Sequence, residues 1–130
     1  MLTGVTCLAS GCGNVVKDGT EALGEGRYDA AETAFEEATK NGNKEVAADG
    51  YQGLGMTYYE QEEYDKALEA FQAGKQIEGN SLMQTLSFNE IVAYEYLQDY
   101  QKAAVLLKAY LQNYPDDQAA IREQQFLSTR

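Results

Sequence analysis

The stretch Tyr64-Asp65-Lys66-Ala67-Leu68-Glu69-Ala70-Phe71 decides the fold, because it recurs in this 130-residue chain. Related stretches begin at Tyr28 and Tyr100, so the three copies follow one another every 36 residues. In each copy an alanine stands three residues after the tyrosine, and a large apolar residue stands seven after it. Residues three, four and seven apart share one face of an α-helix. The pattern therefore predicts three equivalent amphipathic helices in a stack of like units.

A second helix is predicted before each tyrosine. In the second copy one helical stripe holds Tyr51, Leu54, Gly55 and Tyr58. Gly55 has a counterpart in Gly19, 36 residues earlier. A glycine inside a helix costs about 1 kcal/mol relative to alanine. We therefore expect Gly55 to be there because it lets a neighbouring helix approach closely.

These residues resemble the tetratricopeptide repeat, a helix-turn-helix unit with aromatic, Leu-Gly, Tyr, Ala and large apolar positions in this order. The second copy matches best, through Tyr51, Leu54, Gly55, Tyr58, Tyr64, Ala67, Phe71 and Gly74. The third copy departs from the pattern, since Ile91 stands at a small-residue position and Tyr110 replaces a late small residue. We expect the helices of that copy to lie further apart.

The resemblance implies an all-α fold, a right-handed α-solenoid of three helix-turn-helix repeats plus a C-terminal capping helix. We expect a single domain over residues 14–130, with repeats at about 14–43, 44–80 and 81–115 and the cap at 116–128. Asn41-Gly42-Asn43 and Gly79-Asn80 are predicted turns, because Gly and Asn tolerate the left-handed conformation that ends a helix. Pro115 is expected to end the sixth helix, and Asp116 to cap the seventh.

The charge balance disfavours nucleic acid as a partner. The chain has 21 acidic and 10 basic residues, a formal net charge of -11, and no basic patch. Binding to nucleic acid needs Lys and Arg to displace condensed counterions. The acidic run Glu60-Gln61-Glu62-Glu63 is interpreted as a solvated turn, since it lacks the Asp/Asn-rich loop and closing Glu of a calcium site.

No catalytic, metal or cofactor site is predicted. The chain contains no histidine, which removes the commonest general base and every Ser-His or Cys-His pair. Its two cysteines do not complete a metal site by themselves. The acidic side chains fall at positions expected to be exposed on helices, where nothing would raise a carboxyl pKa towards neutral pH. We therefore expect a protein that is not an enzyme.

Residues 1–13 carry no charge and differ in kind from the rest of the chain. Within this segment Leu8-Ala9-Ser10-Gly11-Cys12 resembles the lipobox of bacterial lipoproteins, in which the cysteine thiol carries diacylglycerol. The resemblance implies that acylated Cys12 is the only attachment to a membrane, on the extracytoplasmic face of a bacterial cell membrane. The alternative is an ordinary thiol on a flexible tail, in a protein that stays cytoplasmic.

The first helices of successive repeats form the concave wall of such a solenoid, which is the usual peptide-binding surface of the family. Projecting the helices onto that wall gives six candidate partner-binding residues: Gln52, Met56, Tyr59, Phe88, Val92 and Tyr96. Tyr and Met are favoured where an interface buries area or adapts to a partner. A place in the core is the alternative for any one of them.

One binding mode of the family is not expected, the clamp on a chaperone's C-terminal carboxylate. Domains of that kind use cationic and Asn side chains, and the matching positions here hold Val16, Thr20, Gly53, Thr85 and Asn89. None of these side chains is positively charged, so none can form an ion pair with a carboxylate.

The expected function is that of a protein- or peptide-binding adaptor or scaffold of the bacterial cell envelope. Two alternatives remain open. One is a structural protein that associates with itself by stacking repeat on repeat. The other is a carrier or hydrolase of a small envelope ligand, which requires an enclosed pocket.

Overall fold

Helix follows helix along the part of the chain that the computed structural model describes, residues 12–130. Each helix packs against the next, as in an all-α repeat solenoid, and no strand occurs within these residues. The predicted fold class is confirmed. The helices are α1 Cys12–Gly24, α2 Tyr28–Thr39, α3 Lys44–Glu60, α4 Tyr64–Lys75, α5 Met83–Tyr96, α6 Tyr100–Asn113 and α7 Gln118–Leu127.

The turn inside each repeat has the same backbone conformation. Gly26, Glu62 and Gln98 are left-handed, with φ of 73°, 62° and 63°, and they lie 36 residues apart. The N–H of the residue after each one donates to the carbonyl five residues back, at 2.8 to 2.9 Å. This is the Schellman arrangement, which satisfies carbonyls that a helix end would leave unpaired. The repeat is therefore visible in the backbone as well as in the side chains.

The conserved spacing of alanines marks the contact between the two helices of each repeat. Ala31, Ala67 and Ala103 are each 0% exposed. Large apolar side chains four residues later are also buried, and each belongs to a core cluster that the next unit completes. Leu107, for example, packs in one cluster with Ala120 and Leu127 of α7. No repeat buries its apolar face alone, and α7 covers the last one.

Short polar side chains begin two of the helices. Asn43 accepts hydrogen bonds from the backbone N–H groups of Glu45 and Val46, so the predicted turn also caps α3. The seventh helix is capped by Asp117, and the expectation that Asp116 would do so was wrong by one residue. The reason is the turn after α6, where the Asp117 N–H donates to the carbonyl of Tyr114 and delays the helix start.

The lipobox-like segment lies before the described residues, and the side chain of Cys12 is also outside the described part. The lipid anchor and the boundary between residues 13 and 14 therefore stay predictions. None of the described helices has the length and apolarity needed to cross a membrane.

Candidate binding groove

Helix α5 runs beside an open groove that extends from α3 to α7. A cavity of about 180 Å³ between α3 and α5 is lined by Met56, Tyr59, Phe71, Asn89 and Val92. A larger one of about 440 Å³ between α5 and α7 is lined by Val92, Glu95, Tyr96, Gln98, Tyr100, Glu123 and Phe126. A third of about 200 Å³ is lined by Gln84, Thr85, Phe88, Asn89, Tyr110 and Asp117. Shared lining residues join the three cavities into one surface, which we call the α5 groove.

The groove opens because the backbones of α3 and α5 stay apart and only side chains bridge them, whereas the backbones of α1 and α3 approach closely. A Cβ atom added at Gly53 would lie 2.2 Å from the ring of Phe35, so only glycine lets α3 lie so close to it. Asn89 holds the equivalent position 36 residues later, beside Phe71. Its side chain occupies the space that a glycine would leave, and α5 lies further from the ring.

The two helices of the third repeat are also less closely packed than those of the second. Ile91 occupies the place of Gly55, where a Cβ atom would lie 2.2 Å from the ring of Phe71. Helices α5 and α6 accordingly make less extensive contact than α3 and α4. The difference agrees with the expectation drawn from Ile91.

A cluster of three tyrosine rings borders the α5 groove, and two of its members, Tyr59 and Tyr96, line the groove. Tyr59 meets Tyr96 edge-on at 5.1 Å between ring centroids and Tyr64 at 5.6 Å, while Tyr64 and Tyr96 stack at 4.8 Å. Burial, and then the hydroxyl of Tyr96, raise the pKa of Tyr59, so the phenol stays neutral. Tyr96 is 50% exposed. The cluster ties α3, α4 and α5 together and presents a rigid aromatic surface with polar tips to solvent.

Two carboxyl groups lie together at the α7 end of the groove. Burial and the neighbouring Glu123 raise the pKa of Glu95 to about 8. Oε1 of Glu95 is shielded from water and receives no hydrogen bond from the described residues. The expectation that no carboxyl pKa would be raised towards neutral was therefore wrong. These acids are 28 residues apart in the sequence and meet only because α7 folds back beside α5.

Another acid is buried on the opposite side of α5, which again contradicts the expectation of exposed acids. Glu90 is 6% exposed, and it accepts hydrogen bonds from Lys75 Nζ at 2.5 Å and Gln72 Nε2 at 3.0 Å. A buried carboxylate needs such partners because it has lost its hydration. Since Glu90 is fully paired, we assign it to the contact between α4 and α5.

Models of known protein families match most of the described helices. Two family models described as tetratricopeptide repeat match the chain, one over residues 17–81 and the other over residues 88–117. The first alone spans half of the 130 residues. The chain belongs to the tetratricopeptide repeat family. Tetratricopeptide repeats generally mediate protein–protein interaction or scaffolding. No curated protein matches the chain.

The tetratricopeptide repeat architecture places the six candidate residues on α3 and α5, the first helices of the second and third repeats. Those that line the α5 groove are Met56, Tyr59, Phe88, Val92 and Tyr96. Gln52 is half-buried on α3, one turn before Met56, and lines none of the three cavities. Their role in binding stays a prediction. Sequence reasoning missed Glu95 and Glu123, although Glu95 directly precedes the candidate Tyr96.

Other modes of binding fit this tetratricopeptide repeat protein less well. No Lys or Arg is among the residues that line the three cavities of the α5 groove, so the lining offers no cation to a partner's carboxylate. All three cavities open onto the surface, which disfavours the enclosed pocket of a small-ligand carrier. Among the described residues no group of three or more His, Cys, Asp or Glu side chains is arranged to hold a metal ion.

Proposed function

We propose that this protein is an adaptor or scaffold that holds a segment of another protein in the α5 groove. The observation that carries the proposal is the position of the exposed apolar side chains. Within residues 15–130 the exposed large hydrophobic residues are Tyr96, Val105 and Phe126, and two of these three line the groove. Apolar side chains that gather in one open groove are typical of an interaction site.

Charge indicates what kind of segment the groove takes. The chain as a whole carries a net charge of -11, and the groove is lined by Glu95, Glu123 and Asp117 without any cation. The Tyr110 hydroxyl donates to Asp117 at 2.5 Å, and this hydrogen bond keeps the pKa of Asp117 low, so Asp117 stays charged. A positively charged segment with apolar side chains complements such a surface, and attraction between opposite charges speeds its association.

The test uses peptides selected without bias for sequence. A library of random peptides is displayed and enriched on the pure protein, and the affinity of the enriched peptides is measured by calorimetry. We expect Tyr96→Ala to weaken binding about thirtyfold, which corresponds to the roughly 2 kcal/mol of a central aromatic contact. Tyr59→Ala should have a similar effect, because it removes the edge contact that holds the Tyr96 ring.

Val105→Ala is the matched control, since Val105 is 62% exposed on α6 and lines none of the groove cavities. It should leave the affinity unchanged. Equal losses in Tyr96→Ala and Val105→Ala, or enriched peptides that are acidic, would contradict the proposal. Sedimentation of the peptide-free protein at several concentrations separates this function from self-association, for which the apparent mass would rise with concentration.

We also propose that the protein works at the cell envelope of a bacterium, held there by a lipid on Cys12. The support is the sequence Leu8-Ala9-Ser10-Gly11-Cys12 alone. Expression in a bacterium fed labelled palmitate should give a labelled protein, and Cys12→Ser should remove the label. Cys7→Ser is the control and should retain it. A label that survives in Cys12→Ser, or no label in either protein, would refute the anchor.

A further inference from the structure

The α5–α7 cavity combines aromatic rings with two carboxyl groups. Its volume is about 440 Å³, the largest of the three in the groove. Three rings line it, those of Tyr96, Tyr100 and Phe126, and the acids Glu95 and Glu123 lie among them. Carboxylates and the faces of aromatic rings are the two kinds of group that attract an organic cation.

The carboxyl pair has no cationic partner in the described part of the chain. Glu95 Oε1 is buried and receives no hydrogen bond from it, and neither Glu95 nor Glu123 belongs to the ion pairs found there. A buried polar atom without a partner requires an explanation. A proton shared between the two carboxyl groups accounts for the unbound state, and a donor brought by a ligand would replace that proton.

Two of the rings that line this cavity also contact a cation of this chain, Arg130, which is not itself among the lining residues. The guanidinium carbon of Arg130 lies 4.1 Å from the ring centroid of Phe126 and 5.5 Å from that of Tyr100. Both distances are within the range of a cation–π interaction. These rings therefore accept a guanidinium group, yet Arg130 makes no ion pair with Glu95 or Glu123.

We propose that the α5–α7 cavity is an arginine site, in which Glu95 and Glu123 accept hydrogen bonds from the guanidinium of a partner's arginine and the aromatic rings cover its face. Arg130 competes for the rings and is displaced when the partner binds. Arginine fits better than lysine, because its planar guanidinium donates two parallel hydrogen bonds to a carboxylate, stacks on aromatic rings and is more weakly hydrated than an ammonium group. The inference rests on the proposed function and names the side chain that the groove selects.

Proton release gives the site a signature that a purely structural role of the acids would not produce. A bound guanidinium favours the charged form of Glu95, so binding expels the proton that the pair shares. The titratable groups that line the cavity with Glu95 are Glu123 of α7, Tyr100 of α6 and Tyr96 on its own helix, and Arg130 beyond α7 lies over the Tyr100 ring. Affinity should therefore rise between pH 6 and pH 8 in the native protein and stay flat in Glu95→Gln.

The experiment uses one of the selected peptides in three forms, with arginine, lysine or citrulline at the same position. Citrulline keeps the shape of arginine and lacks its charge. We expect citrulline to weaken binding at least about tenfold and lysine to give an intermediate affinity. The double variant Glu95→Gln/Glu123→Gln should bind the arginine and citrulline peptides equally. Glu37→Gln, an exposed acid on α2, is the charge-matched control and should retain the difference.

Arg130→Ala tests the competition, and it should raise the affinity for the arginine peptide severalfold. If it lowers the affinity, Arg130 is part of the site and the displacement is wrong. If selected peptides bind the groove but arginine and citrulline forms bind alike, the arginine site is refuted while the proposed function stands. If no peptide binds and N-acetyl-arginine amide still shifts the NMR signals of Tyr100 and Phe126, the site survives and the proposed function fails.

Discussion

Replacement of Gly53 by alanine tests the packing that gives the groove its position. The new Cβ atom would lie 2.2 Å from Phe35 Cε1 and 2.3 Å from Cδ1. The ring is 2% exposed, and Gly19 of α1 approaches the same ring atoms, with its Cβ position 2.8 Å from Cε1. Because the ring is confined from both α1 and α3, it has no free space into which to move.

The expected cost follows from two opposing effects. Overpacking of this kind destabilises a core by about 1–3 kcal/mol. Alanine gains about 1 kcal/mol over glycine in a helix, so the net loss is roughly 0–2 kcal/mol. Gly24 is the matched control, since it is also helical and a Cβ atom there would meet nothing within 4 Å. Gly24→Ala should be neutral or stabilise by up to about 1 kcal/mol.

The assay is unfolding in urea, followed by far-ultraviolet circular dichroism, on the two variants and the native protein. Gly53→Ala should be less stable than Gly24→Ala by about 2 kcal/mol, which for a domain of this size is a difference in Tm of roughly 8 °C. If Gly53→Ala is as stable as Gly24→Ala, the close approach of α1 and α3 does not depend on glycine. The explanation given for the opening between α3 and α5 would then be wrong.

Two further predictions concern the turns and the acid pair. Glu62→Gly and Gln98→Gly should each stabilise the protein by up to about 1 kcal/mol in urea unfolding, because both residues are left-handed and glycine adopts that conformation without strain; no gain in either would contradict the turn geometry. The pKa of Glu95 is raised from 4.5 to about 8 by burial and Glu123, so the folded state binds this proton more tightly and the free energy of unfolding falls as the pH rises from about 4.5 to about 8. Glu95→Gln removes that fall, so at pH 9 the variant should be more stable than the native protein by about 1 kcal/mol. This free energy is smaller than the pKa shift alone implies, because water reaches part of the carboxyl. Parallel pH profiles of Tm for the two proteins would refute the coupling.

The sequence predicts the fold well because every repeat supplies the same physical signals. Ala31, Ala67 and Ala103 are small at the same helical position, and all three are fully buried. Gly55 likewise predicts that a neighbouring helix approaches closely, and in the structure the neighbour is the ring of Phe71. These signals are local to each repeat, so the three copies support the same prediction independently.

The groove could be predicted only in part, because its details depend on how units are placed relative to one another. The face of α5 that holds Val92 and Tyr96 follows from the helical period. The meeting of Glu95 with Glu123 does not, since it depends on the direction in which α7 leaves the third repeat. The burial of Glu90 could not be predicted from the sequence either, because its partner Lys75 lies on the preceding repeat. The cap of α7 is Asp117 and not Asp116, because the turn after α6 shifts the start of the helix by one residue.

The most direct test of the binding groove is an NMR titration of the labelled protein with an enriched arginine-containing peptide. The largest shifts in backbone amide signals should fall on the residues that line the groove on α3, α5 and α7: Met56, Tyr59, Asn89, Val92, Tyr96 and Glu123. Val105 on α6 and Glu37 on α2 should not move. Shifts confined to α2, α4 and α6, with the α5 groove silent, would contradict the account.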